Sequence, residues 1–168
     1  MTVKISLVRA QAQADEVRTL AWEFVDWLRS RYPDDLATID EYLVNQKFAE
    51  QLANLLEHFR PPDGECLLAE VDGTSAGIVM LKPAGPETCE MNRMFVRPEA
   101  RRRGVGRALC LRLMDRAREL GYRSMILSAL DQHFEALPLY HALGFREDNR
   151  ASDTEAGKDH EVQMKIVL

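Results

Sequence analysis

The chain has 168 residues, 46% of them hydrophobic and 29% charged, with a formal net charge of −5. That composition excludes a disordered chain and describes a globular protein with room for one sizeable core, and the acidic balance argues against a general nucleic-acid binder. No apolar run reaches the roughly 18 residues that span a bilayer, and residues 1–9 lack the continuous apolar core of a secretory signal, so no membrane partner and a cytoplasmic setting are expected.

Val3, Ile5 and Leu7 alternate with other residues, the period of a half-buried strand. From Asp15, Val17, Leu20, Ala21, Phe24, Trp27 and Leu28 recur at helical spacing until Pro33 ends the run. Asp34 can cap a following helix with apolar positions Leu36, Ile39, Leu43, Phe48, Leu52, Leu55 and Leu56, either one long helix or two shorter ones broken near Asn45. Pro61-Pro62-Asp63-Gly64 marks a turn. Residues 66–71 and 76–81 read as two strands joined through Asp72-Gly73, a hairpin signal because both turn residues tolerate positive φ. After a turn at 83–86, a further strand covers Thr88–Val96 and stops at Arg97-Pro98.

A helix is expected over 104–120, with a stripe of Val105, Ala108, Leu109, Leu113, Ala117 and Leu120 and a stop at Gly121. Residues 123–129 read as a buried strand and 134–143 as a short helix ending at Gly144. Phe145 opens a strand, 151–159 is a polar loop without periodicity, and 161–168 is the last strand. This order predicts one α/β domain of the α+β kind over residues 1–168. Its central sheet is mixed and mostly antiparallel, with about six to seven strands and about four to five flanking helices. Cys66, Cys89 and Cys110 fit no metal-ligand spacing and read as free thiols of a reducing compartment; no metal is expected.

The chemistry concentrates in residues 94–109. A strand enters a tight loop with two glycines, and the loop opens a helix. Helix N-termini present unpaired N–H groups and the positive end of the dipole. Glycine at 104 and 106 lets an anion approach that backbone, and the surrounding arginines add attraction, so the segment suits a phosphate or pyrophosphate. No Lys-Ser or Lys-Thr follows, as a nucleoside-triphosphate loop requires, and no third glycine stands at dinucleotide-fold spacing. Read alone, the segment could also be a basic helix start with glycines chosen for packing.

Arg101-x-x-Gly104-x-Gly106, behind Phe95-Val96-Arg97-Pro98, resembles the acetyl-CoA signature of the GNAT superfamily of N-acetyltransferases. Downstream, residues 136–145, with Tyr140 ahead of Leu143-Gly144-Phe145, resemble the family's helix-to-strand segment. The resemblance implies a GNAT-like domain that uses acetyl-CoA as co-substrate. Around Arg101, the backbone of Arg102, Arg103, Gly104, Val105, Gly106 and Arg107 would hold the pyrophosphate. Met94, Phe95 and Val96 would pair with the pantetheine arm as an added strand. Val96 N–H is chosen to polarise the thioester carbonyl. Tyr140 would protonate the departing thiolate, and Glu90 would take the proton of a primary amine acceptor, a small molecule or a lysine or N-terminal amine. Alternation places Glu90 on one face with Asn92 and Met94. Read from the residues alone, Tyr140 could instead be a core aromatic and Glu90 a solvent-facing strand residue.

His133 stands where family members often carry an asparagine that contacts pantetheine, and Ser128 where some carry a carboxylate. His58, His141 and His160 read as surface or packing residues. Carboxylates of the N-terminal helices (Glu23, Asp26, Asp34, Asp35, Asp40 and Glu41) form either an acidic rim favouring a cationic acceptor or a solvated helix face. A non-catalytic acyl-CoA-binding sensor is the alternative function. Trp22, Trp27 and the last strand could form an interface, so monomer and homodimer both stand; nucleic acid is not an expected partner.

Overall fold

The computed structural model describes residues 1–130, 136–148 and 161–168. The alternating start forms β1 (Val3–Leu7), and α1 (Gln11–Arg31) follows with a buried stripe of Ala14, Val17, Leu20, Ala21, Val25 and Leu28. α1 begins before Asp15 because Gln13 folds its side-chain oxygen back to accept from the N–H groups of Arg9 (2.8 Å) and Ala10 (3.0 Å). This closure occupies donors at the helix entry that periodicity does not register.

The segment after Pro33 breaks near Asn45, but into three helices: α2 (Leu36–Asn45), α3 (Phe48–Ala53) and α4 (Leu55–His58). Lys47 takes a left-handed φ of 50° between the first two, and the redirected chain buries Phe48, Leu52 and Leu55 together. Asp35, not Asp34, stands at the start of α2. This splitting raises the α-helices among the described residues to six, above the four to five expected.

β2 (Glu65–Val71) and β3 (Thr74–Pro83) form the expected hairpin. Asp72 (φ 49°) and Gly73 (φ 84°) are both left-handed, the two-residue turn whose twist matches that of the strands. Then come β4 (Thr88–Val96), a 3₁₀ turn (Pro98–Ala100), α5 (Val105–Glu119), β5 (Ser124–Leu130), α6 (Leu137–Leu143), β6 (Arg146–Glu147) and β7 (Glu161–Val167). Phe145 does not open a strand; it is wholly buried just ahead of β6. The polar segment 151–159 and His160 lie outside the described residues, whereas His58 and His141 are exposed.

The seven strands make one sheet in the order β1-β2-β3-β4-β5-β7-β6, parallel only between β4 and β5. It is the mixed, mostly antiparallel sheet expected. α1, α3 and α4 cover Cys66, Leu68, Ile78, Met80 and Phe95 on one face, with α2 beside them against α1. α5 and α6 cover Leu67, Val79, Leu81, Met91, Met125, Leu127 and Met164 on the other.

One carboxylate ties the two layers together. Glu65 is 0% exposed and accepts from Arg9, just ahead of α1 (2.7 and 2.9 Å), and from Nε of Arg116 on α5 (3.0 Å). Burial pushes its carboxyl pKa up, but hydrogen bonds from Arg9, the Cys66 N–H and Arg116 outweigh that and hold it below the usual carboxylate range. Among the described residues no helix is long and apolar enough to cross a membrane.

Candidate active site

The glycine loop has the geometry its residue types call for. Arg97 anchors its start: the guanidinium clasps Glu23 of α1 at 2.7 and 2.8 Å and donates to the carbonyl of Ser75 at 2.6 Å. Arg102 (φ 60°) and Gly104 (φ 79°) are left-handed, and α5 starts directly after. Gly104 has no side chain with which to cap the helix, and the first turn carries no acidic residue. The leading N–H groups of α5 and the exposed Arg102, Arg103 and Arg107 thus lie in one stretch of chain, and the first turn carries no counter-charge.

Gly106 serves packing. A Cβ there would lie 3.3 Å from Leu139 of α6, 3.7 Å from Val96 and 3.8 Å from Met94. Its absence lets the helix start approach the end of β4 and α6. Val105 is buried and pins that start to the core. Arg101 differs from its neighbours: its Nε donates to the Val96 carbonyl (2.9 Å), and its guanidinium lies 4.9 Å from the Trp27 ring and 5.9 Å from that of Phe95. It braces the loop from the α1 side, and it occupies Trp27, which the sequence offered for an interface.

Beside this loop the sheet opens. β4 and β5 pair only at Thr88↔Ser124, Cys89↔Met125 and Glu90↔Ile126. Among the described residues, residues 91–96 of β4 have no register partner on that side. Arg97 donates to Ala76 across β3 (2.8 Å) while Gly77 faces Val96. In an antiparallel ladder bonded and non-bonded pairs alternate, so Val96 directs its own N–H away from β3, towards the opening, while its carbonyl is held by Arg101.

A bulge corrects the expected face assignment. The β3–β4 register jumps between Ile78 and Met80, and Arg93 takes φ 52°. The extra residue reverses the alternation. Glu90 and Asn92 stay on the face of α1–α4, but Met94 moves to the α5 face and packs there with Val96 near Gly106. Phe95 packs on the α1 face.

Glu90 is one-fifth exposed and pairs with Lys82 directly across the β3–β4 ladder (3.1 Å); Lys82 also donates to Gln46 at the end of α2 (3.2 Å). Tyr140 lies on the other side of the sheet, 6% exposed, with its ring edge-on to Phe145 at 6.0 Å. Burial raises its phenol pKa above the ordinary value, with the neighbouring Cys110 as a smaller cause, and keeps it a proton donor. Ser128 is exposed on β5, and His133 lies outside the described residues. Among the described residues no three His, Cys, Asp or Glu side chains gather as metal ligands.

Arg93 is not among the residues that the sequence singles out. It is 5% exposed, donates to Gln51 (2.8 Å) and stacks over Phe48 and Phe59 at 4.6 and 5.5 Å. Burial lowers its pKa, against the opposing influence of Tyr42. Beside it the Asn92 Oδ1 is buried without a partner. The only signal available was a charged residue at an inward position of an alternating strand. The acidic rim is partly neutralised, since Glu23 pairs with Arg97 and Asp40 with Arg29 (3.1 Å), while Asp26, Asp34, Asp35 and Glu41 are exposed.

An open strand pair leading to an uncapped, glycine-started helix defines a class of site, one that suits an extended, anionic ligand. The Acetyltransferase (GNAT) family profile matches residues 19–145, and the chain belongs to that family. It is an acetyl-CoA-dependent acyltransferase. A protein of Schizosaccharomyces pombe named as an uncharacterized N-acetyltransferase is 33% identical over 146 residues, covering 86% of this chain and 83% of the relative. The fold matches that of the PaiA N-acetyltransferase of Thermoplasma acidophilum in complex with coenzyme A, with a TM-score of 0.74, 19% identity and all of both chains covered. It also matches yncA of Salmonella typhimurium with acetyl-CoA, with a TM-score of 0.68, 21% identity and coverage of 100% and 95%.

Proposed function

We propose that the chain moves an acetyl group from acetyl-CoA to a primary amine by direct attack, with Glu90 as general base and Tyr140 as general acid. The observation that carries this is the opening between β4 and β5. Glu90 stands on one face beside it. Tyr140 stands behind the other, in the helix whose Leu139 meets Gly106.

In this reading the backbone of residues 102–107 holds the pyrophosphate, with Arg101 bracing the loop, and the free edge of Met94, Phe95 and Val96 pairs with the pantetheine arm. The Val96 N–H, directed into the opening, donates to the thioester oxygen. The amine nitrogen bonds to the carbonyl carbon, and its proton passes to Glu90. The carbon–sulfur bond breaks, and the sulfur takes the proton of Tyr140. The products are the amide and CoA. Burial keeps the Tyr140 phenol protonated, so the proton is present when the thiolate leaves, while the raised pKa makes it a weaker acid than a free phenol. Three buried, unpaired cysteines support a cytoplasmic setting.

The test is CoA release followed with a thiol reagent across a panel of amines. Tyr140→Phe and Glu90→Gln should each lower kcat by about 10²–10⁴-fold. Acetyl-CoA at a hundred times its Kd should stabilise the fold by about 2.7 kcal/mol. Turnover unchanged by both substitutions rejects the catalytic assignment. No stabilisation rejects the coenzyme site, and stabilisation without turnover on any amine favours the sensor.

A further inference from the structure

We propose that the acceptor is an amino acid, a small molecule carrying a carboxylate beside its amine, and that Lys165 receives the carboxylate. This rests on the acetyl-transfer reading and names its substrate class. Strand register lines up one row of residues across the sheet: Lys82↔Glu90↔Ile126↔Lys165. Directly opposed residues share a face, so all four project from the side of α1–α4. Adjacent strands lie about 4.8 Å apart, which puts the backbones of Glu90 and Lys165 roughly 10 Å from each other, with only Ile126 between them. A lysine side chain leaning along the row brings its ammonium close to a group held at Glu90.

Among the described residues, no helix packs over this part of the face. Ser128 and Lys165 are exposed, Ile126 and Gln163 are half-buried, and Ser128↔Gln163 forms the neighbouring row of uncharged hydrogen-bonding groups. Arg146 ends the Lys165 row at the sheet edge, its guanidinium turned back to the carbonyls of Phe145 and His141.

The charges here do not suit a polycation. Glu90 is the one carboxylate of the row, and Lys82 already pairs with it. Lys165 has no ion pair among the described residues. Arg93, one step along β4 from Asn92, buries a guanidinium with amide, aromatic and phenolic neighbours and no carboxylate within salt-bridge distance among the described residues. Along this row one anionic position is flanked by cations. A ligand whose amine meets Glu90 and whose carboxylate meets Lys165 complements it, and a polyamine meets like charges.

The experiment measures CoA release at saturating acetyl-CoA with the twenty amino acids, their carboxamides, and spermidine. The expected result is a kcat/KM for the preferred amino acid at least about tenfold above that of its carboxamide and of spermidine. Lys165→Glu, at an exposed position, should raise KM for the amino acid by about 10–100-fold and narrow the acid-to-amide ratio. KM for acetyl-CoA and the thermal midpoint should stay unchanged. Carboxamides or spermidine accepted as well as the free acids, or an acid-to-amide ratio indifferent to Lys165→Glu, overturns the inference while leaving acetyl transfer intact. No release with any acceptor overturns both.

Discussion

The two faces of the sheet are built on different principles. On the face of α5 and α6 the proposed coenzyme site is made of backbone: a left-handed loop, an uncapped helix start and a strand edge with no partner. On the face of α1–α4 the proposed acceptor site is made of side chains that several strands bring into one row. Backbone sites depend on a few adjacent residues and on glycine. Side-chain rows depend on register, and a shift of one residue would turn them to the other face. The coenzyme half is therefore a local device and the acceptor half a tertiary one, and substitutions should separate them.

The largest effect is expected where the two faces are joined. Glu65→Ala leaves Arg9 and Arg116 without their shared carboxylate. It should cost about 3 kcal/mol in chemical denaturation, because charge-assisted hydrogen bonds of roughly 1.5–3 kcal/mol each are lost while the partly exposed guanidinium groups keep access to water and Arg116 keeps Glu119. The folded Glu65 pKa lies below that of the unfolded chain. Its contribution is thus fully present above the unfolded value, about 4.3, and is lost as pH falls through the folded value. Glu65→Gln should flatten the fall in stability over that acidic window; an unchanged acid limb would assign it to other carboxylates.

Gly106→Val should break only the coenzyme face. The added side chain occupies the space between Leu139, Val96 and Met94. Acetyl-CoA affinity by calorimetry should drop about 100-fold, equivalent to roughly 2.7 kcal/mol, with the circular dichroism spectrum retained. Arg93→Ala should break the other face. Removing the guanidinium leaves Gln51 without its donor and ends the stacking on Phe48 and Phe59. Thermal or urea unfolding should show a loss of about 1–3 kcal/mol, and turnover should fall more than acetyl-CoA binding. If Arg93→Ala abolished acetyl-CoA binding instead, the two halves would not be separable.

The smallest effect is expected from the cysteines. Cys66, Cys89 and Cys110 are buried and unpaired, and burial raises the thiol pKa of Cys89 and Cys110 to about 12. A thiol reagent should label none of them in the native protein and all three in denaturant, leaving both faces untouched. Rapid native labelling would show an opening that the packed core does not have.

Much of the fold was legible because its signals are local. Alternation marked β1 and the β2–β3 hairpin, and Asp72-Gly73 named the turn that the backbone adopts. Helical spacing marked α1 and α5. The start of α1 lies ahead of its periodic residues because the Gln13 closure involves one side chain and no periodicity. The three-way split of α2, α3 and α4 was missed because Lys47 bends to bury Phe48 against the sheet, a gain that appears only once the sheet exists.

The sequence by itself determined the glycine loop, the helix behind it and the order of elements, since these follow from residues within one or two turns of each other. It also carried enough of a pattern to identify the family. Tertiary structure alone decided that β4 bulges at Arg93, that Met94 and Glu90 part to opposite faces, and that Lys82, Glu90, Ile126 and Lys165 share a row. Register belongs to pairs of strands, so no single strand's residues can state it. Burial of Arg93 and Tyr140 likewise depends on what the rest of the chain packs around them.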